Sequence, residues 1–298
     1  MTAALEFQAT TKKFGAFVAL DHLTLALQPG EILGFLGPNG AGKTTAIHLA
    51  LGFLKPNAGG GWILGRPFGD KDTRSRIGYL PDLPAFFAEN ARSAMSFAGR
   101  LNGMRNPRLR ERTLELLGRM DLLSAGKDAR KFSRGMQQRL GLAQALVHDP
   151  EVLILDEPTS ALDPAGVLEV RELLRAARQE GKSIFFSSHQ LSEVEQVCDR
   201  IAFLHQGRLL RHGPLDSFLH DSRRSEIILR NLPGDAELLR RYEHCLQSRE
   251  DGNLRFVVPA AAQREVIEQA WSAGAELVSV APLRRTLEEL FMEWSEKS

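Results

Sequence analysis

The segment from residue 37 to residue 45 combines glycines, a lysine and hydroxyl groups in a spacing that suits phosphate chemistry. Glycines allow a loop to turn its backbone N–H groups inward, where they form a concave nest for phosphate oxygens. Lys43 would supply positive charge to the β- and γ-phosphates of a nucleotide, and the Thr44 hydroxyl would bind Mg²⁺. The segment matches the phosphate-loop pattern of Gly, four residues and Gly-Lys-Thr, and it reads Gly37-Pro38-Asn39-Gly40-Ala41-Gly42-Lys43-Thr44-Thr45.

The flanking sequence favours this interpretation over an ordinary glycine-rich turn that matches by chance. The apolar run 31–36 predicts a buried strand before the loop, and residues 45–51 predict the first turns of a helix after it. A helix that begins at the loop also directs its partly positive N-terminus at the phosphates. The loop therefore predicts a nucleoside triphosphate site, although it does not say what the triphosphate is used for.

Two neighbouring carboxylates, Asp156 and Glu157, follow the apolar run 152–155. Four consecutive apolar residues predict a fully buried parallel strand, and open α/β sheets bind ligands at the carboxyl ends of their strands. We expect Asp156 to hold Mg²⁺, directly or through water. Glu157 would orient or deprotonate the water that attacks the γ-phosphate. The alternative is a structural pair of acids that caps the next helix.

Further polar and aromatic side chains are candidates for the same site. His189 ends the predicted strand 183–188, from which it could reach a γ-phosphate, although a lone histidine usually has no such role. Ser133 is a plausible N-cap of a helix that runs to residue 146, and Gln137 lies near the start of that helix. Phe14, predicted to lie in a loop, would either stack on an adenine ring or belong to the core, and this segment does not decide between them.

Composition excludes several classes of function. The 298 residues are 43% hydrophobic and 25% charged, as in soluble globular proteins, and the net charge of +1 gives no field that favours nucleic acid. No apolar run approaches the ~20 residues that span a bilayer, and the N-terminal residues lack the pattern of a signal peptide. Cys198 and Cys245 lie far apart in no metal-type spacing, which suits a reducing compartment. We therefore expect a cytoplasmic location.

The order of predicted elements indicates an α/β fold with two domains. Strands precede and follow the phosphate loop, and a helical pattern over about 91–123, with an arginine-rich run at 100–112, forms an insert at about 85–148. That run is predicted as a solvated helix face, and the alternative is a contact to phosphate or to lipid headgroups. From residue 222 the order changes to the βαββαβ pattern of ferredoxin-like domains. We predict strands at 225–230, 244–249, 254–258 and 276–280, with helices at 235–243, 260–273 and 284–295.

Taken together, these motifs resemble the ATP-binding subunit of ABC transporters. The resemblance covers about residues 3–221 and is specific, because all the motifs occur in order. The end of the chain, 286–291, resembles the tail of the exporter-type branch that includes multidrug, antibiotic and sodium extrusion ATPases. The matches are Walker A at 37–45, the signature at 132–138, Walker B at 152–157, the D-loop at 160–163, the switch histidine at His189 and the adenine-stacking aromatic at Phe14.

The resemblance implies a fold, two cofactors and a set of roles. The fold would be a phosphate-loop NTPase (RecA-like) α/β core with an antiparallel β subdomain and a helical insert, followed by a small α+β domain at 222–298. ATP and Mg²⁺ would be the cofactors. Metal binding would involve Thr44, Asp156 and Asp82, and catalysis Glu157, His189 and Lys43. The signature residues Ser133, Gly135 and Gln137 would contact nucleotide.

Two positions depart from the family pattern. Arg134 replaces the first glycine of the usual Ser-Gly-Gly-Gln signature, which leaves nucleotide affinity and turnover open. Asp82, between Pro81 and Pro84, stands where the family usually has glutamine. We expect Asp82 to sense the metal–nucleotide complex through a bridging water, with Phe86 and Phe87 facing a partner. The alternative is a surface acid that caps a turn.

One set of motifs per chain also implies an assembly. In the family, nucleotide lies between Walker A of one copy and the signature of another, so the expected assembly is a homodimer. It would bind a separate membrane permease from the cytoplasmic face of the membrane, with export as the expected direction. The alternatives are a non-transport ABC protein that acts on ribosomes or nucleic acid, which the near-neutral charge disfavours, and a module that sequesters a drug.

Overall fold

The chain forms two compact units in a computed structural model that describes residues 2–86, 90–125 and 128–296. The first unit ends at Pro214 and the second begins at Leu215. The predicted boundary, at 221/222, lies seven residues later. The difference arises because His220 and Asp221 pair with Arg284 and Leu283, and this pairing joins them to the second unit's sheet. Phe87, expected to face a partner, lies outside the described residues.

The first unit is a mixture of strands and helices in the order expected of an α/β fold. Its described helices are α1 (Lys43–Ala50), α2 (Ala91–Leu101), α3 (Arg108–Arg119), α4 (Arg134–Leu146), α5 (Pro164–Gln179) and α6 (Leu191–Val197). Its described strands are β1 (Leu5–Phe14), β2 (Phe17–Leu27), β3 (Ile32–Leu36), β4 (Ala58–Ile63), β5 (Arg66–Pro67), β6 (Ile77–Leu80), β7 (Val152–Asp156), β8 (Ser183–Ser188), β9 (Arg200–His205) and β10 (Arg208–Pro214).

The central sheet has the strand order β10-β9-β3-β8-β7-β6. Strands β9, β3, β8, β7 and β6 are parallel, and β10 pairs with β9 in the antiparallel direction. Every residue of β3, β7 and β8 is buried, which explains their continuous apolar runs. Because the strands are parallel, their carboxyl ends meet at one edge. That edge brings together Gly37, Asp156 and His189, which follow or end β3, β7 and β8.

A second, antiparallel sheet has the order β2-β1-β4-β5, which is the antiparallel β subdomain implied by the resemblance. The sequence predicted that Phe14 lies in a loop, and this prediction is wrong. Phe14 ends β1 and pairs directly with Phe17 across a tight turn. Gly61 lies inside β4. A Cβ atom on Gly61 would lie 2.2 Å from the Glu6 carbonyl oxygen, so the close approach of β1 requires glycine there.

The helical insert consists of α2, α3 and α4. The Asn90 side chain caps α2 by accepting a hydrogen bond from the Ser93 backbone N–H at 2.9 Å. Gly99 of α2 packs so closely on α3 that an added Cβ would lie 2.2 Å from a methyl group of Leu109. Within the described residues no helix is long and apolar enough to cross a bilayer.

The second unit is a small α+β fold with a four-stranded antiparallel sheet in the order β12-β13-β11-β14. Between β11 and β14 its elements follow the βαββαβ order. Buried apolar residues such as Ile227, Leu229, Phe256, Val258 and Val266 form its core. Its elements are α7 (Leu215–Leu219), β11 (His220–Arg230), α8 (Glu237–Arg241), β12 (Leu246–Glu250), β13 (Asn253–Pro259), α9 (Gln263–Ser272), β14 (Glu276–Arg284) and α10 (Leu287–Glu296).

Candidate functional site

The loop between β3 and α1 has a backbone that only glycine tolerates at two points. Gly42 has φ +108°, and a Cβ atom there would lie 2.5 Å from the Ala19 carbonyl oxygen. At Gly37 the added atom would lie 2.2 Å from the Leu204 carbonyl oxygen. Glycine is therefore required in this motif for two reasons, which are the backbone conformation and the close packing of other backbone atoms against the loop.

Lys43, the first residue of α1, is 7% exposed and turns its ammonium group back into the loop. Its Nζ donates to the Gly37 carbonyl oxygen at 2.7 Å and lies 3.5 Å from Glu157 Oε1. The ammonium group thus lies between the phosphate loop and the acid that ends Walker B. This position places one cation within reach of both the loop and the Glu157 carboxylate.

Asp156 is 2% exposed, and hydroxyl groups hold both of its carboxylate oxygens. The Thr44 hydroxyl donates to Oδ2 at 2.9 Å, and the Ser187 hydroxyl donates to Oδ1 at 2.5 Å. Carboxylate and hydroxyl oxygens are the hard donors that Mg²⁺ prefers, and Mg²⁺ usually completes its shell with water and nucleotide phosphates. No cluster of three or more His, Cys, Asp or Glu in the described ranges could hold a metal by itself. The residues present fit Mg²⁺ bound together with nucleotide.

Glu157 and His189 form a hydrogen-bonded pair at the sheet edge. His189 Nδ1 lies 2.7 Å from Glu157 Oε2, and the His189 backbone N–H donates to the same oxygen at 3.3 Å. Glu157 has φ +50°, a strained value for a residue with a side chain. Its backbone is held there by Gln138, whose side-chain amide donates to the Glu157 carbonyl oxygen at 3.1 Å, and by Ser187, whose carbonyl accepts from the Glu157 N–H at 3.1 Å.

Ser187 and Gln138 are contacts that the sequence analysis missed. Ser187 is fully buried in β8, and Gln138 is 2% exposed. A serine in a buried strand is the one signal that could have identified Ser187, since a buried hydroxyl needs a partner, although Ser183 and Ser188 of β8 carry the same signal. Gln138 is the residue next to Gln137, which the sequence predicted as a site residue. The sequence does not distinguish the two glutamines, whereas in the structure Gln138 is buried and contacts Glu157.

A pocket of about 290 Å³ brings most of the predicted residues together. Asp82 lies on its wall, where the Ser160 hydroxyl is 3.5 Å from Asp82 Oδ1. Phe14 does not line the pocket, whereas Phe17, its partner across the hairpin, does. The lining residues are Phe17, Ala19, Pro38, Asn39, Gly40, Ala41, Gly42, Lys43, Thr44, Thr45, Asp82, Asp156 and Glu157.

The β1–β2 hairpin carries two exposed aromatic rings, those of Phe14 and Phe17. Residues that pair directly in an antiparallel ladder project to the same face of the sheet, so Phe14 and Phe17 are neighbours. They are 47% and 63% exposed, and the Lys12 ammonium lies 5.1 Å from the Phe14 ring centre. Phe17 carried no functional assignment from the sequence, because only Phe14 matches the family pattern.

Ser133, Gly135 and Gln137 lie at the start of α4 and do not line the pocket of their own chain. The Ser133 hydroxyl caps the helix by accepting from the Met136 N–H at 3.2 Å. Residue 135 is glycine in a place where a Cβ atom would lie 3.2 Å from the Ala161 carbonyl oxygen. Ser133, Gly135 and Gln137 therefore lie outside the pocket that Lys43 and Glu157 line, although the neighbouring Gln138 contacts the Glu157 backbone.

Comparison with known proteins identifies the family. The ABC transporter family model matches residues 20–160. An uncharacterized ABC transporter ATP-binding protein of Synechocystis sp. is 39% identical over 92% of this chain and 77% of its own length. The bacitracin transport ATP-binding protein of Bacillus licheniformis is 34% identical over 98% and 97%. A Nod factor export ATP-binding protein of Cupriavidus metallidurans is 37% identical over 72% of each chain.

A solved structure of similar fold contains the products of ATP hydrolysis. It is a dimeric ATP-binding cassette in a post-hydrolysis state with bound ADP and Pi, with 25% identity and a TM-score of 0.65 over 71% of this chain and 98% of that one. The phosphate loop, the buried acids and the family match agree on one activity. The chain belongs to the ABC transporter family, in which it is an ATP-binding subunit that hydrolyses ATP.

Proposed function

We propose that two copies of this subunit close over ATP and power export through a separate membrane permease. The observation that carries this proposal is the separation of the site into two surfaces. Lys43 and Glu157 face the pocket, whereas Ser133 and Gly135 begin a helix outside it. Two copies in a head-to-tail arrangement would let the signature of one copy close the pocket of the other.

Hydrolysis would use the residues that already contact one another. Lys43 would bind the β- and γ-phosphate oxygens. Glu157, held by His189 at 2.7 Å, would take a proton from the attacking water as its oxygen bonds to the γ-phosphorus. The bond from the γ-phosphorus to the bridging oxygen would break, which leaves ADP and phosphate. Residues Pro38 to Thr45 would cradle the phosphates.

Mg²⁺ would neutralise charge on the transferring phosphate when bound. Thr44 and Asp156 would hold it, because the Thr44 hydroxyl and an Asp156 carboxylate oxygen already lie 2.9 Å apart on the pocket wall. Asp82 lies on the pocket wall and is exposed, which suits contact through water rather than direct coordination.

The adenine ring would stack at the tip of the β1–β2 hairpin. Phe14 is the position that matches the family, and Phe17 is the ring that borders the phosphate loop. Since the two project to the same face, we propose that both rings contribute to one platform.

The permease would bind a cavity of about 740 Å³ in the first unit, here called the insert cavity. Its lining is mostly apolar and includes Phe53, Tyr79, Phe86 and Phe97. Burial raises the pKa of Tyr79 to about 12, so its phenol stays neutral at physiological pH. An amphipathic helix of a membrane partner fits such a groove, and it would hold the subunit at the membrane surface on the cytoplasmic face.

The direction of transport follows from relatives. One similar protein is named for Nod factor export and another for bacitracin transport. A role on ribosomes or nucleic acid would be expected to need a strong basic field, whereas the net charge of this chain is +1. Transport is therefore the better-supported function.

The test of the pairing is Glu157→Gln, which removes the proton acceptor but leaves Lys43, Thr44 and Asp156 in place. We expect ATP binding to persist, hydrolysis to fall at least 100-fold and the variant to dimerise with ATP and Mg²⁺. Light scattering measures the mass. Glu172→Gln, an exposed acid on α5, is the matched control and should hydrolyse ATP as the unaltered chain does.

Two results would overturn the proposal. A Glu157→Gln chain that stays monomeric at saturating ATP contradicts the sandwich. Vesicles that contain the subunit and its permease but fail to move any candidate substrate outward contradict export, even if the dimer forms.

A further inference from the structure

The positive charge of this chain is concentrated in the helical insert. Residues 90–125 contain seven arginines and three acidic residues, a net charge of +4, although the whole chain carries only +1. The remaining sequence is therefore net acidic. A local excess of this kind attracts anions to one part of the surface.

One helix presents part of this charge beside exposed apolar side chains. On α2, Arg92, Ser96 and Arg100 recur every four residues and so share a face, and Phe97 and Leu101 lie next to them. Phe97 is 61% exposed and Leu101 is 70% exposed. We call the surface formed by Arg92, Ser93, Ser96, Phe97, Arg100 and Leu101 the α2 face.

The opposite side of α2 is fixed in the fold. Ala91, Ala94, Met95 and Gly99 are buried. Gly99 packs directly on Leu109, where an added Cβ would lie 2.2 Å from a side-chain methyl group. The exposed apolar side chains are thus a property of the folded unit and remain outside its core.

The arginines of the α2 face also differ from others in the insert. Arg112 and Arg119 both pair with Glu115, at 2.7 and 2.9 Å. Across the described ranges no ion pair joins Arg92 or Arg100 to a carboxylate. Their guanidinium groups can bind phosphate oxygens without breaking an internal contact.

We propose that the α2 face binds anionic phospholipid headgroups at the membrane surface. Arg92 and Arg100 would contact phosphates, and Phe97 and Leu101 would enter the boundary between headgroups and acyl chains. The proposal rests on the proposed function, since Phe97 and Leu101 also border the insert cavity where the permease would bind. A membrane-embedded partner in that cavity would bring the α2 face to the lipid surface.

The shape and charge of the face favour lipid over a protein segment. Phe97 and Leu101 border the insert cavity but are 61% and 70% exposed beside Arg92 and Arg100, and a deformable lipid surface can adapt to such exposed side chains. The adjoining insert cavity is concave and suits a helix of the partner. Arginine beside aromatic and leucine side chains is also the composition of helices that lie in a membrane interface.

The test is flotation of the purified full chain with lipid vesicles that contain no permease. We expect binding to vesicles of phosphatidylcholine with phosphatidylglycerol, little binding to phosphatidylcholine alone, and loss of binding as salt rises to about 0.5 M. Arg92→Gln with Arg100→Gln should lower the partition coefficient about 30-fold, at roughly 1 kcal/mol for each arginine.

Matched controls separate the face from total charge. Arg240→Gln with Arg249→Gln removes two exposed arginines of the second unit and should leave vesicle binding within about twofold. Phe97→Ser with Leu101→Ser should weaken binding while the salt dependence persists. The two double-arginine variants should keep their basal ATPase rate, because none of these four arginines lines the nucleotide pocket or the insert cavity.

Several outcomes would overturn the proposal. Equal binding to neutral and anionic vesicles, or equal losses in the two double-arginine variants, would exclude a headgroup site on α2. Absence of vesicle binding, together with loss of permease binding in Arg92→Gln with Arg100→Gln, would assign the face to an acidic segment of the permease. Since these vesicles contain no permease, failure here is distinct from failure of the export function.

Discussion

Replacement of Ser187 by alanine tests whether a hydroxyl absent from every sequence motif positions the metal-binding acid. Ser187 is fully buried and donates to Asp156 Oδ1 at 2.5 Å. The Glu157 N–H that also contacts Ser187 Oγ keeps its bond to the Ser187 carbonyl oxygen, so only Asp156 loses a partner. A hydrogen bond to a buried charged group contributes about 1.5–3 kcal/mol, and water cannot replace it where Asp156 is 2% exposed.

We therefore expect Ser187→Ala to lower the free energy of unfolding by about 2 kcal/mol, measured in urea without nucleotide. Loss of a group that orients a metal ligand should also raise the Mg²⁺ concentration for half-maximal ATPase activity about 10-fold. Ser188→Ala is the matched control. Ser188 is equally buried, but its hydroxyl accepts from the neutral Gln190 backbone N–H at 2.9 Å, so about 1 kcal/mol should be lost with no change in Mg²⁺ dependence.

If Ser187→Ala unfolds at the same urea concentration as the unaltered chain, the Ser187 hydroxyl does not stabilise Asp156. Equal shifts of the Mg²⁺ dependence in both serine variants would also contradict the prediction. A stability loss with an unchanged Mg²⁺ dependence would leave Ser187 a structural role and remove it from the metal site.

Two further predictions concern the hairpin and a histidine of the insert cavity. Phe14→Ala and Phe17→Ala should each raise the Kd for ATP about 10-fold, since stacking on a base contributes about 1–3 kcal/mol; Phe53→Ala, equally exposed but outside the pocket, should not. Burial lowers the pKa of His148, so the unfolded chain takes up a proton first and stability falls as pH drops below about 6.5. Urea unfolding at pH 7.5 and 5.5 measures this loss. Between these pH values the free energy of unfolding should fall less for His148→Gln than for the unaltered chain. An equal fall in both proteins would show that His148 does not cause the pH dependence.

The features of this protein that are local along the chain can be predicted from the sequence alone. The loop from Gly37 to Thr45 is recognisable because its backbone conformation, its lysine and its helix N-terminus are contiguous. The same holds for Asp156 and Glu157, since a fully buried strand must be apolar and its polar residues must stand at its end. The α/β order and the ABC family follow from these motifs, as the fold and the relatives confirm.

Contacts between residues far apart in sequence depend on the fold. Ser187 contacts Asp156 across 31 positions, because β7 and β8 are neighbours in the sheet. Phe17 enters the pocket because the hairpin places it beside the phosphate loop, and β11 begins at His220 because β14 pairs with it there. Pairing across a sheet depends on the register of strands far apart in sequence. The local pattern of apolar and polar residues does not specify which distant strands pair or in what register. These contacts therefore cannot be predicted from that pattern.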